Sequence, residues 1–163
     1  MGLEFRNAQT ADLPAIMAIE RAGFTPNEAA STESMRERIE LIPDSFIVAT
    51  ADEQVRGYIV GPAIAERYLY DELFDHLTAN DATAAYLGVL SLAVAPDTQG
   101  QGIGGQLLTA FADRARVQGR RGITLTCLKR LVPFYEAHAY VNEGVADSAH
   151  AGETWYNLVR ELG

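Results

Sequence analysis

The spacing of apolar and polar positions changes period several times along the 163 residues, and each change marks an element. Leu3–Asn7 alternates and predicts a short strand. Thr10 is a candidate N-cap for a helix from Ala11 to about Arg21. Pro14 lies in its first turns, where a missing N–H is tolerated, and Leu13, Ile16, Met17 and Glu20 share one face. Phe24–Ser31 carries the turn residues Pro26 and Asn27, and Thr32–Leu41 predicts a second helix, ended by Pro43. Phe46–Ala51 and Val55–Ile64 predict two strands, joined by the short polar Asp52-Glu53-Gln54 as in a hairpin. Arg67–Leu77 is helical or irregular. Tyr86–Ala95 is apolar in both phases, the pattern of a strand buried on both faces, and Pro96-Asp97 stops it.

The second half is more regular. Gly102–Gln118 sets Leu107, Leu108, Phe111 and Ala115 in one stripe of a helix that Gly119 terminates. Gly122–Cys127 predicts a strand, Val132–His138 a short helix, and Tyr140–Val145 and Thr154–Leu162 two closing strands. No repeat or low-complexity linker interrupts the order, so residues 1–163 predict a single domain. The expected fold is α/β (α+β): a mixed, mostly antiparallel sheet of about six or seven strands with helices on both faces.

Composition adds little, because 48% hydrophobic and 21% charged residues is ordinary for a globular chain. Charge adds more. A net charge of −9 argues against a nucleic-acid partner, which requires a basic footprint. Residues 1–97 hold 6 basic and 16 acidic side chains, whereas residues 98–130 hold 6 basic (Arg114, Arg116, Arg120, Arg121, Lys129, Arg130) and 1 acidic. This basic segment fits a phosphorylated ligand there and a cationic substrate nearby; a solvated helix face produces the same pattern. The single cysteine, Cys127, forms no internal disulfide and points to a reducing compartment. The N-terminal residues lack a secretory pattern, and Arg6 breaks the myristoylation pattern that Met1-Gly2 begins. No apolar run approaches the ~18 residues of a membrane span. A cytoplasmic protein without a membrane partner is expected.

The chemistry concentrates in Gln99-Gly100-Gln101-Gly102-Ile103-Gly104, between a strand and a helix. A Walker A loop needs Gly-Lys-Ser/Thr, and Gly104-Gly105-Gln106 excludes it. Gly100, Gly102 and Gly105 spell the dinucleotide fingerprint. However, the acidic residue due about 20 positions later is missing, and the sheet begins with hairpin strands rather than βα units. The third match is Q/R-x-x-G-x-G/A, carried by Gln99, Gly102 and Gly104. Glycines let successive N–H groups turn toward one point, and the helix adds its unsatisfied N–H groups and positive dipole end, together a pyrophosphate cradle. A plain helix-capping turn is the other reading. Against it, several glycines in one first turn cost helix propensity of up to ~1 kcal/mol each.

Leu92-Ala93-Val94, Pro96-Asp97 and Gln99 to Gly104 together resemble the signature of the GNAT superfamily of N-acetyltransferases. Leu131-Val132-Pro133-Phe134-Tyr135-Glu136, with Cys127 before it, is similar to a segment of the arylalkylamine N-acetyltransferases. The resemblance covers nearly the whole chain and is strongest over residues 86–140. It implies a single-domain GNAT fold and acetyl-CoA as co-substrate, with no metal. Leu92, Ala93 and Val94 would offer main-chain groups to the pantetheine arm where the strand splays from its neighbour. Gln99, Gly100, Gln101, Gly102, Ile103, Gly104 and Gly105 would cradle the pyrophosphate. Homodimers are frequent in that superfamily, so a homodimer is an expectation.

The implied reaction is direct attack of a primary amine on the thioester. The incoming ammonium must lose a proton, and the departing thiolate gains from receiving one. Tyr135 matches the residue for the second task and would also contact the sulfur. The arylalkylamine enzymes use a histidine pair for the first, and the matching positions are Gly88 and Leu90. Glu20 or Glu28, acting through water, is a candidate substitute; each is otherwise a surface acid. His76, His138 and His150 match no catalytic position, and Cys127 reads as a buried inert thiol. Phe134 reads as core. Phe24, Tyr58, Tyr68, Tyr70 and Tyr86 form a candidate aromatic wall for an arylalkylamine or other small cationic amine. Two further readings stay open: a protein or peptide N-acetyltransferase, and a non-catalytic acyl-CoA sensor that has lost its base.

Overall fold

Two extended stretches, residues 54–64 and 86–94, each serve two sheets, and this sharing sets the architecture. The computed structural model describes residues 2–148 and 152–162. Its elements in chain order are β1 (Glu4–Asn7), α1 (Leu13–Gly23), α2 (Thr32–Leu41), β2 (Phe46–Ala51), β3 (Gln54–Val60), β4 (Ala63–Ile64), β5 (Tyr86–Val89), β6 (Ser91–Val94), α3 (Ile103–Val117), β7 (Gly122–Leu128), α4 (Val132–Glu136), β8 (Val141–Val145) and β9 (Trp155–Glu161). One sheet runs β1-β2-β3-β6 and the other β4-β5-β7-β9-β8. Among the described residues only β5 and β7 pair in parallel. The predicted strand Val55–Ile64 divides into β3 and β4, and Tyr86–Ala95 into β5 and β6. The divisions lie at Gly61-Pro62 and Leu90. A Cβ at Gly61 would lie 1.5 Å from the Gly88 carbonyl oxygen, so only glycine permits the two stretches to cross there.

Both faces of the first sheet are covered. Phe46, Val48, Tyr58 and Val60 face a core with Ile16, Met17, Met35 and Ile39 of α1 and α2. Ile47, Ala49 and Ile59 face the opposite core, with Leu107, Leu108, Phe111 and Ala115 of α3. Period-two alternation between two apolar layers explains why β2 reads as a continuous apolar run. The helix start near Thr10 differs from expectation. Residues Thr10–Asp12 form a 3-10 turn and α1 begins at Leu13. The Asp12 carboxylate accepts the Gln9 N–H at 2.7 Å and pairs with Arg6 at 2.7 Å, which moves the cap before Thr10. Among the described residues no helix is long and apolar enough to cross a membrane.

Candidate active site

The strand division at Leu90 opens a slot. β5 follows β7 as far as Val89 opposite Leu125. Beyond it, β6 turns away to pair with β3, while β7 continues beside β9. The Ala95 N–H donates to the Arg56 carbonyl at 2.7 Å. By antiparallel alternation the Ala93 main chain then also faces β3, and the main-chain groups of Leu92 and Val94 face the opening. The Val94 carbonyl there accepts from the Gln99 side chain at 3.4 Å.

The glycine segment borders the same opening. Gly100 and Gly102 have φ of 82° and 78°, a region that L side chains avoid, and Gly102 is the N-cap of α3. The first turn of α3 contains no acid, so its unsatisfied N–H groups and dipole are uncompensated. Gly104 and Gly105 have a different reason to be glycine. A Cβ on Gly104 would lie 3.3 Å from Phe134 Cζ, and on Gly105 2.5 Å from His138 Nε2. They admit the segment after β7. His138 is a packing residue, its Nδ1 2.8 Å from the Phe134 carbonyl oxygen.

A groove of about 560 Å³ is lined by Leu92, Ala93, Val94, Gln99, Gly100, Gly102, Ile103, Gly104 and Gly105, joined by Gly23, Phe24, Thr98, Arg130, Leu131, Phe134 and Tyr135. Gln101 is absent from this wall and borders a separate depression with Arg56 and Asp97. Phe134, expected in the core, is 37% exposed and stands in the groove. The basic segment is also reinterpreted. Arg114 bonds the Asp44 carbonyl, Arg116 pairs with Asp113, and buried Arg120 holds the carbonyls of Asp81 and Ala84. Arg121 lies 3.8 Å from Glu161. Arg130 alone of the six cations lines the groove.

A second, smaller cavity of about 100 Å³ adjoins the groove and shares Phe24, Leu92, Leu131 and Tyr135 with it. Glu20, Glu28 and Asp71 line it, and among the described residues no basic side chain does. Its aromatic members are Phe24, Phe74, Tyr135 and Trp155. Of the expected aromatic wall only Phe24 arrives. Tyr58 is buried beneath α1, Tyr86 lies under Arg67 and Arg121, and Tyr68 and Tyr70 are exposed. Phe74 and Trp155 carry no local signal, since chain path alone brings a turn and a distant strand end together here.

Tyr135 occupies the junction at 8% exposure, edge-on to Phe134 and Tyr140 with ring centroids 5.1 and 5.6 Å away. Burial raises its phenol pKa, and neighbouring Cys127 adds to the shift. Burial also pushes the Cys127 thiol up to about 11, which keeps it protonated and inert. At the positions of the missing histidine pair, a Cβ on Gly88 would lie 2.5 Å from Leu69 Cδ2, and Leu90 lines the smaller cavity. Glu20 is not a surface acid. It is 1% exposed, and its carboxylate accepts from the Tyr58 hydroxyl, the Ser91 hydroxyl and the Ala30 N–H. Glu28 is half-buried on the neighbouring loop and accepts the Thr25 N–H at 3.2 Å. His76 is exposed and lines neither cavity, and His150 lies outside the described residues. Among the described residues no group of three or more His, Cys, Asp and Glu is placed to hold a metal ion.

Comparison with known proteins agrees with this geometry. The acetyltransferase (GNAT) domain family matches residues 43–142. No curated protein sequence matches the chain. The fold is shared with the GphF GNAT-like decarboxylase in complex with isobutyryl-CoA, at TM-score 0.85 and 18% identity over 98% of this chain and 100% of that one. Ard1 from Thermoplasma volcanium gives TM-score 0.80 and 18% identity over 100% and 99%. The ribosomal-protein-S18-alanine N-acetyltransferase from Escherichia coli gives 0.70 and 15% over 99% and 95%.

Proposed function

This chain belongs to the acetyltransferase (GNAT) domain family and is an acetyl-CoA-dependent N-acetyltransferase, and from that premise we propose that its acceptor is a small primary amine, an arylalkylamine or another small cation, attacking the thioester directly. The observation that carries the proposal is the junction: a larger groove built from main chain and a smaller acidic, aromatic cavity meet at Leu92 and Tyr135.

The groove fits acetyl-CoA. Added Cβ atoms at Gly100 and Gly102 would meet nothing within 4 Å, so both glycines border open space with their main chain accessible. Gly100, Gly102 and the first turn of α3 would hold the pyrophosphate, with Arg130 as the flanking cation. Leu92 and Val94 would hydrogen-bond the pantetheine arm through the main-chain groups that face the opening. The co-substrate supplies the acetyl group as an activated thioester. Tyr135, kept protonated by burial, donates toward the sulfur as negative charge develops there. On the acceptor side, Glu28 and Asp71 in the cavity wall favour an ammonium, and Phe24, Phe74 and Trp155 supply apolar contact.

Thiol release from acetyl-CoA across a panel of arylalkylamines, polyamines, amino sugars and peptides tests the reading, with Tyr135→Phe as the paired variant. Turnover is expected on arylalkylamines or other small cations. Tyr135→Phe lowers kcat about 100-fold with little change in KM for acetyl-CoA, the size of one proton-transfer contribution. Turnover confined to peptides replaces the small-amine assignment. Tight acetyl-CoA binding without turnover on any amine overturns the catalytic reading.

A further inference from the structure

Glu20 sits in the wall of the smaller cavity at 1% exposure, so its carboxyl group has left water almost completely. A buried carboxylate persists when donors meet its oxygens. Oε1 accepts from the Tyr58 hydroxyl and from Ser91 Oγ at 3.2 Å. Oε2 accepts from the Ala30 N–H at 2.8 Å and from the same Ser91 Oγ at 3.4 Å. Arg38 on α2 is 2% exposed, with Nε and Nη1 unpartnered. Desolvation lowers its guanidinium pKa, and the Glu20 charge is the largest influence opposing that. Both Glu20 oxygens are therefore engaged by the protein, and Glu20 is poorly placed to take a substrate proton directly.

The consequence falls on Ser91. A serine hydroxyl has one hydrogen and two lone pairs. Glu20 and the Tyr58 oxygen beside it engage that hydrogen, so toward any other partner Ser91 Oγ can only accept. Ser91 lines the smaller cavity and immediately precedes Leu92, one of the four residues shared by cavity and groove. Its side chain projects to the α1 side of the sheet, away from Leu92 and Val94, because side chains alternate along β6.

We propose that Ser91 Oγ is the acceptor-side group that receives an N–H of the incoming amine, and that Glu20 is the positioning residue that fixes this hydroxyl as an acceptor. The inference deepens the acetyl-transfer reading and rests on it for the ligand being an amine. It supplies orientation rather than a base to a site that lacks the histidine pair: a serine–glutamate couple on the opposite side of the strand holds the amine, and the ammonium proton passes to water before attack. A locked acceptor favours ammonium and amine groups and disfavours a carboxylate at the same point.

Calorimetric titration of 2-phenylethylamine into protein saturated with coenzyme A tests this. Ser91→Ala is expected to weaken amine binding about 10- to 100-fold, the range for one hydrogen bond to a charged group. Coenzyme A affinity stays unchanged, and Ser91→Thr restores most of the loss. Ser91→Cys keeps a weak donor for Glu20 and a poor acceptor for the amine, so it serves should Ser91→Ala fail to fold. In turnover the same variants raise KM for the amine and leave KM for acetyl-CoA in place. Glu20→Gln produces the same split, which a purely structural role would not. If coenzyme A binds but the amine does not, or if Ser91→Ala and Ser91→Cys bind it like wild type, this proposal fails alone. If coenzyme A does not bind, the acetyl-transfer reading fails and takes this one with it.

Discussion

The two halves of the site are built from different materials. The proposed cofactor groove is largely main chain: the edge of Leu92 and Val94 that faces the opening, the left-handed Gly100 and Gly102, and the first turn of α3. The proposed acceptor cavity is side chains, drawn from α1, the loop after it, the turn at residues 71–74, β5–β6, β7, α4 and β9. A ligand held by main chain is compatible with many sequences, provided the glycines and the strand division remain. A ligand held by side chains depends on a particular constellation, and here that constellation includes a buried carboxyl group whose oxygens must be met by donors from distant segments. The difference teaches where variation can enter: the groove defines the co-substrate, and the cavity is free to choose the amine.

Substitutions confined to one half would break or sharpen this contrast. The largest effect is expected from Glu20→Ala. It leaves the Tyr58 and Ser91 hydroxyls and the Ala30 N–H without their acceptor and costs about 2–4 kcal/mol of stability. Urea unfolding measures the loss, and coenzyme A binding to the remaining folded protein should be unchanged. A cost below about 1 kcal/mol would show that the cluster is not a structural requirement. Next comes Gly102→Ala. A Cβ at φ 78° adds strain of about 1–2 kcal/mol and lowers coenzyme A affinity while leaving amine selectivity intact. Undiminished affinity would remove Gly102 from the cradle. The smallest effect belongs to Arg130→Ala. Its exposed charge is screened, so coenzyme A affinity should fall only about 3- to 10-fold at low salt and less at high salt. A salt-independent loss would place Arg130 in direct, desolvated contact with phosphate. A 100-fold loss would contradict a groove that binds through main chain.

The legibility of the two halves follows the same division. The glycine segment that borders the groove was legible because glycine spacing, a preceding buried strand and a following amphipathic helix are all local. Tyr135, which lines both cavities, was legible within Leu131–Glu136 for the same reason. The charge count was misleading. Six cations cluster in sequence between residues 98 and 130, but four of them serve the far end of α3 and the start of β7. A 15-residue helix separates its two ends by about 20 Å, so nearness in sequence was not nearness to the phosphates. The aromatic wall failed because Tyr58 and Tyr86 are drawn into buried layers, while Tyr68 and Tyr70 turn outward.

What the sequence determined by itself was the element order, the family and the co-substrate, since each rests on periodicities and contacts within a few residues. Only the tertiary structure decided which side chains face the amine. Ser91, Phe74 and Trp155 acquire their place from the crossing at Gly61 and the strand division at Leu90. Glu20, which shares a helical stripe with Leu13, Ile16 and Met17, proves to be a buried carboxylate because Tyr58, Ser91 and Ala30 arrive from distant parts of the chain to meet its oxygens. Burial of a charge is a property of its surroundings, and those surroundings exist only after the chain has folded.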